Sequence, residues 1–540
     1  MLQALRPRLG SFLRDRRGNV AILFGVALIP ILIGVGVAVD YGRALVIRDR
    51  MANAADAAGL AIGSWAGLSQ AEQKTKAQQF FNANYPPSTL GTVGAIDVQF
   101  PGDDIIVTVK GTMQTTFMRL ANIDSLDVGA TSTIHKRERN LEVVLVLDTT
   151  GSMSQTLGTS TKISALKSAA KQMVSTLFNG KATSDTVKIG IVPFAAAVNV
   201  GTGKLASNPE WFDLNTYTAA NATADPIAFE DLDKTSGIST QKLYSGYTTG
   251  LSNRSWAGCV RERSTNSTYE LTDAAPSSAP ASRWVPYFAP DEPDSASGTT
   301  YGNNYLCDNP SKCSNGNSTT APNATCVTGT STNDQRQCYT TKYKGKSVSS
   351  SSTGPDYGCP PASILAMTNV AASINTEIDS LQAKGSTVIP AGLLWGWRVI
   401  SPGAPFTEGV DYSNDKYTKA IVLMTDGEND VGGGSNGFDK SYYNAFGFAK
   451  NGHLGSTSGS NAEATLDSKT LTVCGAIKGL GIRLYTIGLG VSSASQTLLT
   501  NCASTDDQGN KLYYNAPTSD QLASIFQDIA QGLSELRIAQ

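Results

Sequence analysis

Oxygen-bearing side chains gather at three places in the 540-residue sequence. Asp148, Thr150 and Ser152, in "DTTGS", set a carboxylate and two hydroxyls at alternate positions of a turn. Thr387, in "KGSTVIP", offers a third hydroxyl, and Asp426 closes the apolar run "AIVLMTD". A small hard divalent cation such as Mg2+ takes octahedral oxygen ligands and gives up water reluctantly, so hydroxyls with water-bridged carboxylates suit it. With few anionic ligands bound directly, such an ion stays electrophilic, and an open position can accept a carboxylate from another molecule. Taken alone, Asp-Thr-Thr-Gly at a strand end also reads as a turn or helix cap; the three segments together point to the metal.

Other chemistries are poorly supplied. The chain has two histidines, His135 and His453, whereas Ser/His/Asp, Cys/His and zinc sites each need at least one positioned imidazole. His135 lies in the charged stretch "TIHKRERN" and His453 in "KNGHLGSTSGS", so both read as loop residues. Neither "GVGVAV" nor "DVGGGSNG" is a nucleotide loop: the first lies in an apolar run and the second lacks Lys-Ser/Thr. A formal charge of −2 gives no electrostatic case for nucleic acid. No motif calls for a small-molecule substrate, and the chain is expected not to be an enzyme. A membrane-tethered hydrolase with its site in residues 201–361 is the rival, but no paired-carboxylate or serine-base motif stands out.

The elements that must carry these donors are strands alternating with amphipathic helices. "LEVVLVLD" is too continuously apolar for a half-exposed strand and reads as buried on both sides. "VKIGIVPF", "KAIVLMTDG", "GIRLYTIGLG" and "KLYYNA" supply further strands. "KISALKSAAKQMVSTLF" places Ile163, Leu166, Ala170, Met173 and Leu177 on one helical face, and "SILAMTNVAASINTEIDSLQA" does the same with Ile364, Met367, Val370, Ile374, Ile378 and Leu381. Ser519 reads as the N-cap of a closing helix. Such alternation means a mostly parallel α/β sheet covered on both faces, with ligands outside the carboxyl ends of its strands, where Asp148 and Asp426 fall.

Ahead of this domain, "NVAILFGVALIPILIGVGVAV" (residues 19–39) is long enough, at about 1.5 Å per residue, to cross a bilayer core of roughly 30 Å. Arg6, Arg8, Arg14, Arg16 and Arg17 precede it against a single Asp15. The positive-inside rule keeps the N-terminus in the cytoplasm and sends the rest across. A cleaved signal peptide is the competing reading, but the run is longer than a usual apolar region and no A-x-A site directly follows it. Beyond the span, Leu45, Met51, Ala55, Ala58 and Leu60 suggest that the helix continues. Its alanine-rich face is either its own core contact or a packing surface for similar helices. "AIDVQF" and "DDIIVTVKGTMQTTF", around the turn "PGDD", read as a hairpin of a small α+β module. Eight cysteines, six of them between Cys259 and Cys359, fit disulfides in an oxidising compartment. A bridge between Cys474 and Cys502 would contribute roughly 3 to 4 kcal/mol in the chain-entropy model. Residues 201–361, rich in Ser, Thr, Asn, Gly and Pro, read as a disulfide-held loop insertion without a large core.

Two resemblances follow from these residues. "RRGNVAILFGVALIPILIGVGVAVDYGRALVIRDRMANAADAAGLAIG" resembles the N-terminal segment of Tad (tight adherence, or Flp) pilus-assembly proteins of the TadE/TadG type. Asp148, Thr150, Ser152, Thr387 and Asp426 resemble the metal-ion-dependent adhesion site of von Willebrand factor type A domains, with Thr150 in place of the commoner serine. The first resemblance implies a single-pass protein of the bacterial inner membrane, with a large periplasmic portion. The second implies a Rossmann-like α/β domain that binds a protein through Mg2+, usually without catalysis. Together they imply pilus subunits or Tad secretion-machinery proteins as partners; an exported adhesin for an external ligand is the alternative. The expected organisation is a basic cytoplasmic segment (1–18), the span (19–39), a TadE/G-like helix and α+β module (40–138), and a von Willebrand A domain in two parts (141–200 and 362–540) around the insertion (201–361).

Overall fold

The structure, a computed structural model, describes residues 18–63, 69–86, 91–101, 104–135, 139–234, 237–265, 268–294, 301–309, 331–349, 352–432 and 438–538. The basic segment before Gly18 and Cys313 and Cys326 lie outside the described residues. Two compact units divide the chain: residues 1–138 with 535–540, and residues 139–534.

The first unit is built on one helix, α1 (Gly18–Gly63), of 46 residues, about 69 Å long at ~1.5 Å per residue. Its N-terminal half is apolar and exposed, with Pro30 inside it. It has the length and composition to cross a membrane, which fits a membrane anchor or a signal sequence. The C-terminal half changes character: Ala44, Ile47, Met51, Ala54, Ala55, Ala58 and Ile62 recur at helical spacing and are buried. The alanine-rich face is therefore a core contact within this unit, whereas Leu45 and Leu60 are exposed. It packs with α2 (Gln70–Asn84), capped by Ser69, and a sheet of β1 (Thr92–Val93), β2 (Asp97–Gln99), β3 (Asp104–Gln114) and β4 (Ser125–His135). The hairpin around "PGDD" forms, with Val98 opposite Val107. On the other edge of β3 lies β4, paired from Gln114–Ser125 to Asp104–His135; His135 thus closes a strand instead of lying in a linker.

The second unit is mixed α/β. β5 (Asn140–Asp148) pairs in parallel with β8 (Val187–Phe194) on one side and β14 (Tyr417–Thr425) on the other. β15 (Arg483–Leu489) and β16 (Tyr513–Ala516) continue the parallel set. β13 (Leu365–Thr368) lies antiparallel on the β8 edge. The chain therefore leaves β5 toward β8 and later returns on its other flank at β14, making a crevice between the carboxyl ends of β5 and β14. Residues 143–147 of β5 are buried without exception, so both faces of the strand are covered. Of the longer helices, α3 (Lys162–Leu177) buries Leu166, Ala170, Met173 and Leu177 as its spacing predicts. α4 (Ala371–Ser380) is shorter than expected because its first turn is taken by β13, which closes the β8 edge.

α5 (Ile389–Ile400) is buried on every side. Gly392 and Gly396 allow this: a Cβ on Gly396 would lie 2.4 Å from Val146 Cγ2, and one on Gly392 2.5 Å from the Phe194 ring. Gly396→Ala is expected to cost about 1–3 kcal/mol through overpacking, read as a lower denaturant midpoint at unchanged slope. α6 (Gly459–Gly479), α7 (Ser493–Cys502) and α8 (Leu522–Ile538) complete the unit. A disulfide joins Cys474 of α6 to Cys502 of α7. Ser519 lies in a short 3-10 turn before α8 and does not cap it.

The insertion differs from expectation. Trp211, Phe212, Phe229, Trp256, Trp284 and Tyr287 are buried in one apolar cluster with Trp395, Ile421 and Leu423 of the α/β domain. The segment thus shares the domain's core instead of lacking one. Its chain re-enters the main sheet: β9 (Val198–Asn199) pairs with β8 and with β10 (Cys259–Val260). Cys259 bonds to Cys359, 100 residues on, which ties the middle of the insertion to its C-terminal end. Cys307 and Cys338 are disulfide-bonded as well. Two small hairpins, β6 (Thr156–Leu157) with β7 (Ser160–Thr161) and β11 (Ser264–Thr265) with β12 (Thr268–Tyr269), lie outside the sheet.

Candidate metal centre

Asp148 is the last residue of β5 and is fully buried. Its Oδ1 accepts the Thr150 N–H at 2.8 Å, and its Oδ2 accepts the Thr425 hydroxyl at 2.6 Å and the Asp426 N–H at 3.4 Å. The turn after β5 is held on the other side by Thr149, whose N–H and hydroxyl both donate to Phe194 O at 2.9 Å. The chain then enters a 3-10 turn, Gly151–Ser154. Thr150 Oγ1 and Ser152 Oγ lie 2.9 Å apart, and the Ser152 hydroxyl donates to Asp426 Oδ1 at 2.7 Å. Asp426 follows β14, so the two neighbouring strands deliver their carboxylates to the crevice between their ends.

Thr387 comes to this cluster through backbone. Gly151 N–H donates to Gly385 O and Lys384 N–H to Thr149 O, both at 2.8 Å. Thr387 exchanges N–H···O bonds of 3.1 and 2.8 Å with Asp430, and its hydroxyl lies 3.9 Å from where a Cβ on Gly427 would stand. Gly385 makes the approach possible: its φ is +90°, and a Cβ there would meet Gly358 O at 2.8 Å. The structure thus joins Asp148, Thr150, Ser152 and Asp426 by direct hydrogen bonds and sets the Thr387 loop against them.

Two participants carried no signal in the sequence. Thr425 precedes Asp426 as an ordinary strand residue, yet its hydroxyl fixes Asp148. Lys162, the first residue of α3, is buried with its Nζ 2.8 Å from Asp426 Oδ2. At a helix start a lysine reads as a solvated side chain, and only its distance from Asp426 reveals the ion pair.

The electrostatics test whether a divalent cation fits. Burial, then the neighbouring Asp426 charge, pushes the Asp148 carboxyl up to about 7. Two buried carboxylates face one ammonium, so full ionisation leaves one negative charge uncompensated. Ser386 Oγ, beside Thr387, is buried without a hydrogen-bond partner. Hydroxyl donors and excess negative charge fit a hard divalent cation, which would have to displace the proton that burial favours on Asp148. Among the described residues no three His, Cys, Asp or Glu side chains gather as a metal cluster, so any cation held here would rely on hydroxyls as well as carboxylates.

Residues 18–63 match the Tad family, described as Flp pilus-assembly TadE/G-like. No curated protein matches the chain. Among solved structures, the pilus adhesin SpaC from Lactobacillus rhamnosus GG is 11% identical with a TM-score of 0.32, over 84% of this chain and 37% of that one. The chain therefore spans little more than a third of that adhesin. The von Willebrand factor domain of the type V pili tip protein Mfa5 from Porphyromonas gingivalis is 11% identical with a TM-score of 0.32, over 75% of this chain and 97% of that one. The adhesive tip pilin of Streptococcus agalactiae is 10% identical with a TM-score of 0.29, over 82% and 70%. Residues 18–63 are thus similar to the TadE/G-like segment of the Tad pilus-assembly family, and a mixed α/β unit follows them.

Proposed function

We propose that this chain is a single-pass protein of the bacterial inner membrane, similar to TadG, that assembles or anchors Tad pili by binding a protein partner through Mg2+. In this reading α1 is the anchor, the N-terminus is cytoplasmic and everything after the span is periplasmic, where the disulfides form. The α/β unit is a von Willebrand A domain and its role is binding, not catalysis. The observation that carries the reading is the convergence of Asp148, Thr150, Ser152 and Asp426, with Thr387 alongside, at the switch in strand order. The Tad match over residues 18–63 supports pilus subunits or secretion-machinery proteins as partners.

The five side chains would hold the ion. Bound there, it supplies a Lewis-acidic position for a carboxylate of the partner. This chain's own residues set that position: Thr425 and the Thr150 N–H orient Asp148, Ser152 orients Asp426, and Lys162 neutralises one of the two charges. Crosslinking the full chain in membranes and co-purifying its partners tests the reading. Recovery of pilus components is expected with Mg2+ and is expected to be lost with EDTA or in the Asp148→Ala/Asp426→Ala variant. Unchanged recovery from the folded double variant would refute metal-dependent binding.

A further inference from the structure

We propose that the turn between β3 and β4, residues 117–123, dips into the bilayer beside α1 and seats the α+β module on the lipid surface. The proposal rests on the reading of α1 as a membrane span.

Three observations carry it. Phe117, Leu120 and Ile123 are 43%, 75% and 40% exposed, and outside α1 they are the exposed large apolar residues of the first unit among the described residues. The turn also lies at the level of the span. A Cβ on Gly36 would be 2.3 Å from Phe117 Cβ, so the turn touches α1 inside its apolar run, next to the exposed Leu32, Val35 and Val39. Asp40 and the exposed Tyr41 follow on the side away from the span, as an interfacial aromatic would.

The backbone of the turn is prepared for a medium without water. Asp40 accepts the N–H groups of Thr116, Phe117 and Met118, at 2.7 Å for Phe117 and 2.8 Å for Met118. Leu120 N–H donates to Phe117 O, Asn122 N–H to Arg119 O and Ile123 N–H to Met118 O. Unsatisfied backbone groups cost several kcal/mol each in hydrocarbon, so a lipid-facing turn must bond internally in this way. Arg119, within the turn, pairs with Asp124 at 3.1 Å, and Arg43 donates to Thr116 Oγ1 at 2.8 Å. A long basic side chain can lay its stem on an apolar surface and carry its charge to headgroup level. The apolar surface of the turn continues that of α1, which makes lipid acyl chains its occupant.

The test uses the full chain in liposomes, with a fluorescent label on one added cysteine at a time: Leu120→Cys, Val35→Cys in the span, or Asp97→Cys on β2. With nitroxide-bearing lipids, the labels at residues 120 and 35 are expected to lose most of their emission and the label at 97 to keep it. Aqueous iodide is expected to give the reverse. Iodide quenching at 120 with lipid quenching at 35 would overturn the proposal and leave the span intact. Iodide quenching at 35 would overturn the span and the proposal with it.

Discussion

Replacing Arg398 by alanine is expected to destabilise the second unit by about 3–5 kcal/mol, because it strands a buried carboxylate. Arg398 lies on the all-buried helix α5, and its Nη1 is 2.7 Å from Glu262 Oε2 in the insertion, with both side chains wholly buried. Its guanidinium also stacks 5.2 Å from the Trp284 ring and 5.0 Å from the Trp395 ring. Removing it leaves the buried Glu262 without its hydrogen-bonded counter-charge, with Arg263 the remaining cation near it. Removing both charges is a different matter. Arg398 Nη2 and Glu262 Oε1 already lack hydrogen-bond partners, so the pair is incompletely compensated. Arg398→Met with Glu262→Leu is expected to cost much less than Arg398→Ala alone. Chemical unfolding followed by tryptophan emission reads both, since Trp284 and Trp395 lie 4.9 Å apart beside the pair. A single variant within about 1 kcal/mol of the parent, on the scale of surface pairs, would mean that insertion and domain are not coupled through this contact.

That coupling marks the boundary of what the sequence reveals. β5, β8, β14, β15 and β16 are legible because a strand buried on both faces must be a continuous apolar run, and the oxygen donors stand at the ends of such runs. Elements that depend on a neighbour are not legible. Residues 364–381 satisfy a helical period throughout, yet 365–368 form β13 because the β8 edge offers hydrogen-bond partners that a helix there would leave unused. "SLDVGATSTIH" is short in large apolar side chains and carries Gly129, so β4 gains its identity from pairing along the whole of β3. α5 is buried on all sides, Arg398 included, which a one-sided helical period does not predict. The insertion's aromatics are spread over some 150 residues of polar sequence. Only the fold shows them meeting Trp395 and Ile421, and only it puts Lys162 against Asp426.

Without divalent cations, the second unit should lose stability as pH rises from about 5 to about 8, and Asp148→Asn should remove most of that loss. The sign follows from proton counts. Asp148 is raised from an ordinary 3.8 to about 7 in the folded chain. Between these values the folded state holds a proton that the unfolded state has released, so stability is greatest at the acid end and is lost as pH rises through the folded value. At ~1.4 kcal/mol per unit, the loss should be roughly 2–4 kcal/mol. Mg2+ is expected to reverse the trend at pH 8, because a dication among these oxygens favours the ionised carboxylate; at about 100 times its Kd it would add ~2.7 kcal/mol. Thermal unfolding of parent and Asp148→Asn at both pH values, with Mg2+ or with EDTA, separates the contributions. Lys162 supplies the competing explanation, since its ammonium already contacts Asp426 at 2.8 Å. If Mg2+ leaves the parent unchanged at pH 8, Lys162 is the cation this cluster was built around, and metal-dependent binding falls. If Mg2+ stabilises the parent but not Asp148→Asn, the lysine balances one carboxylate and leaves the second charge for the metal.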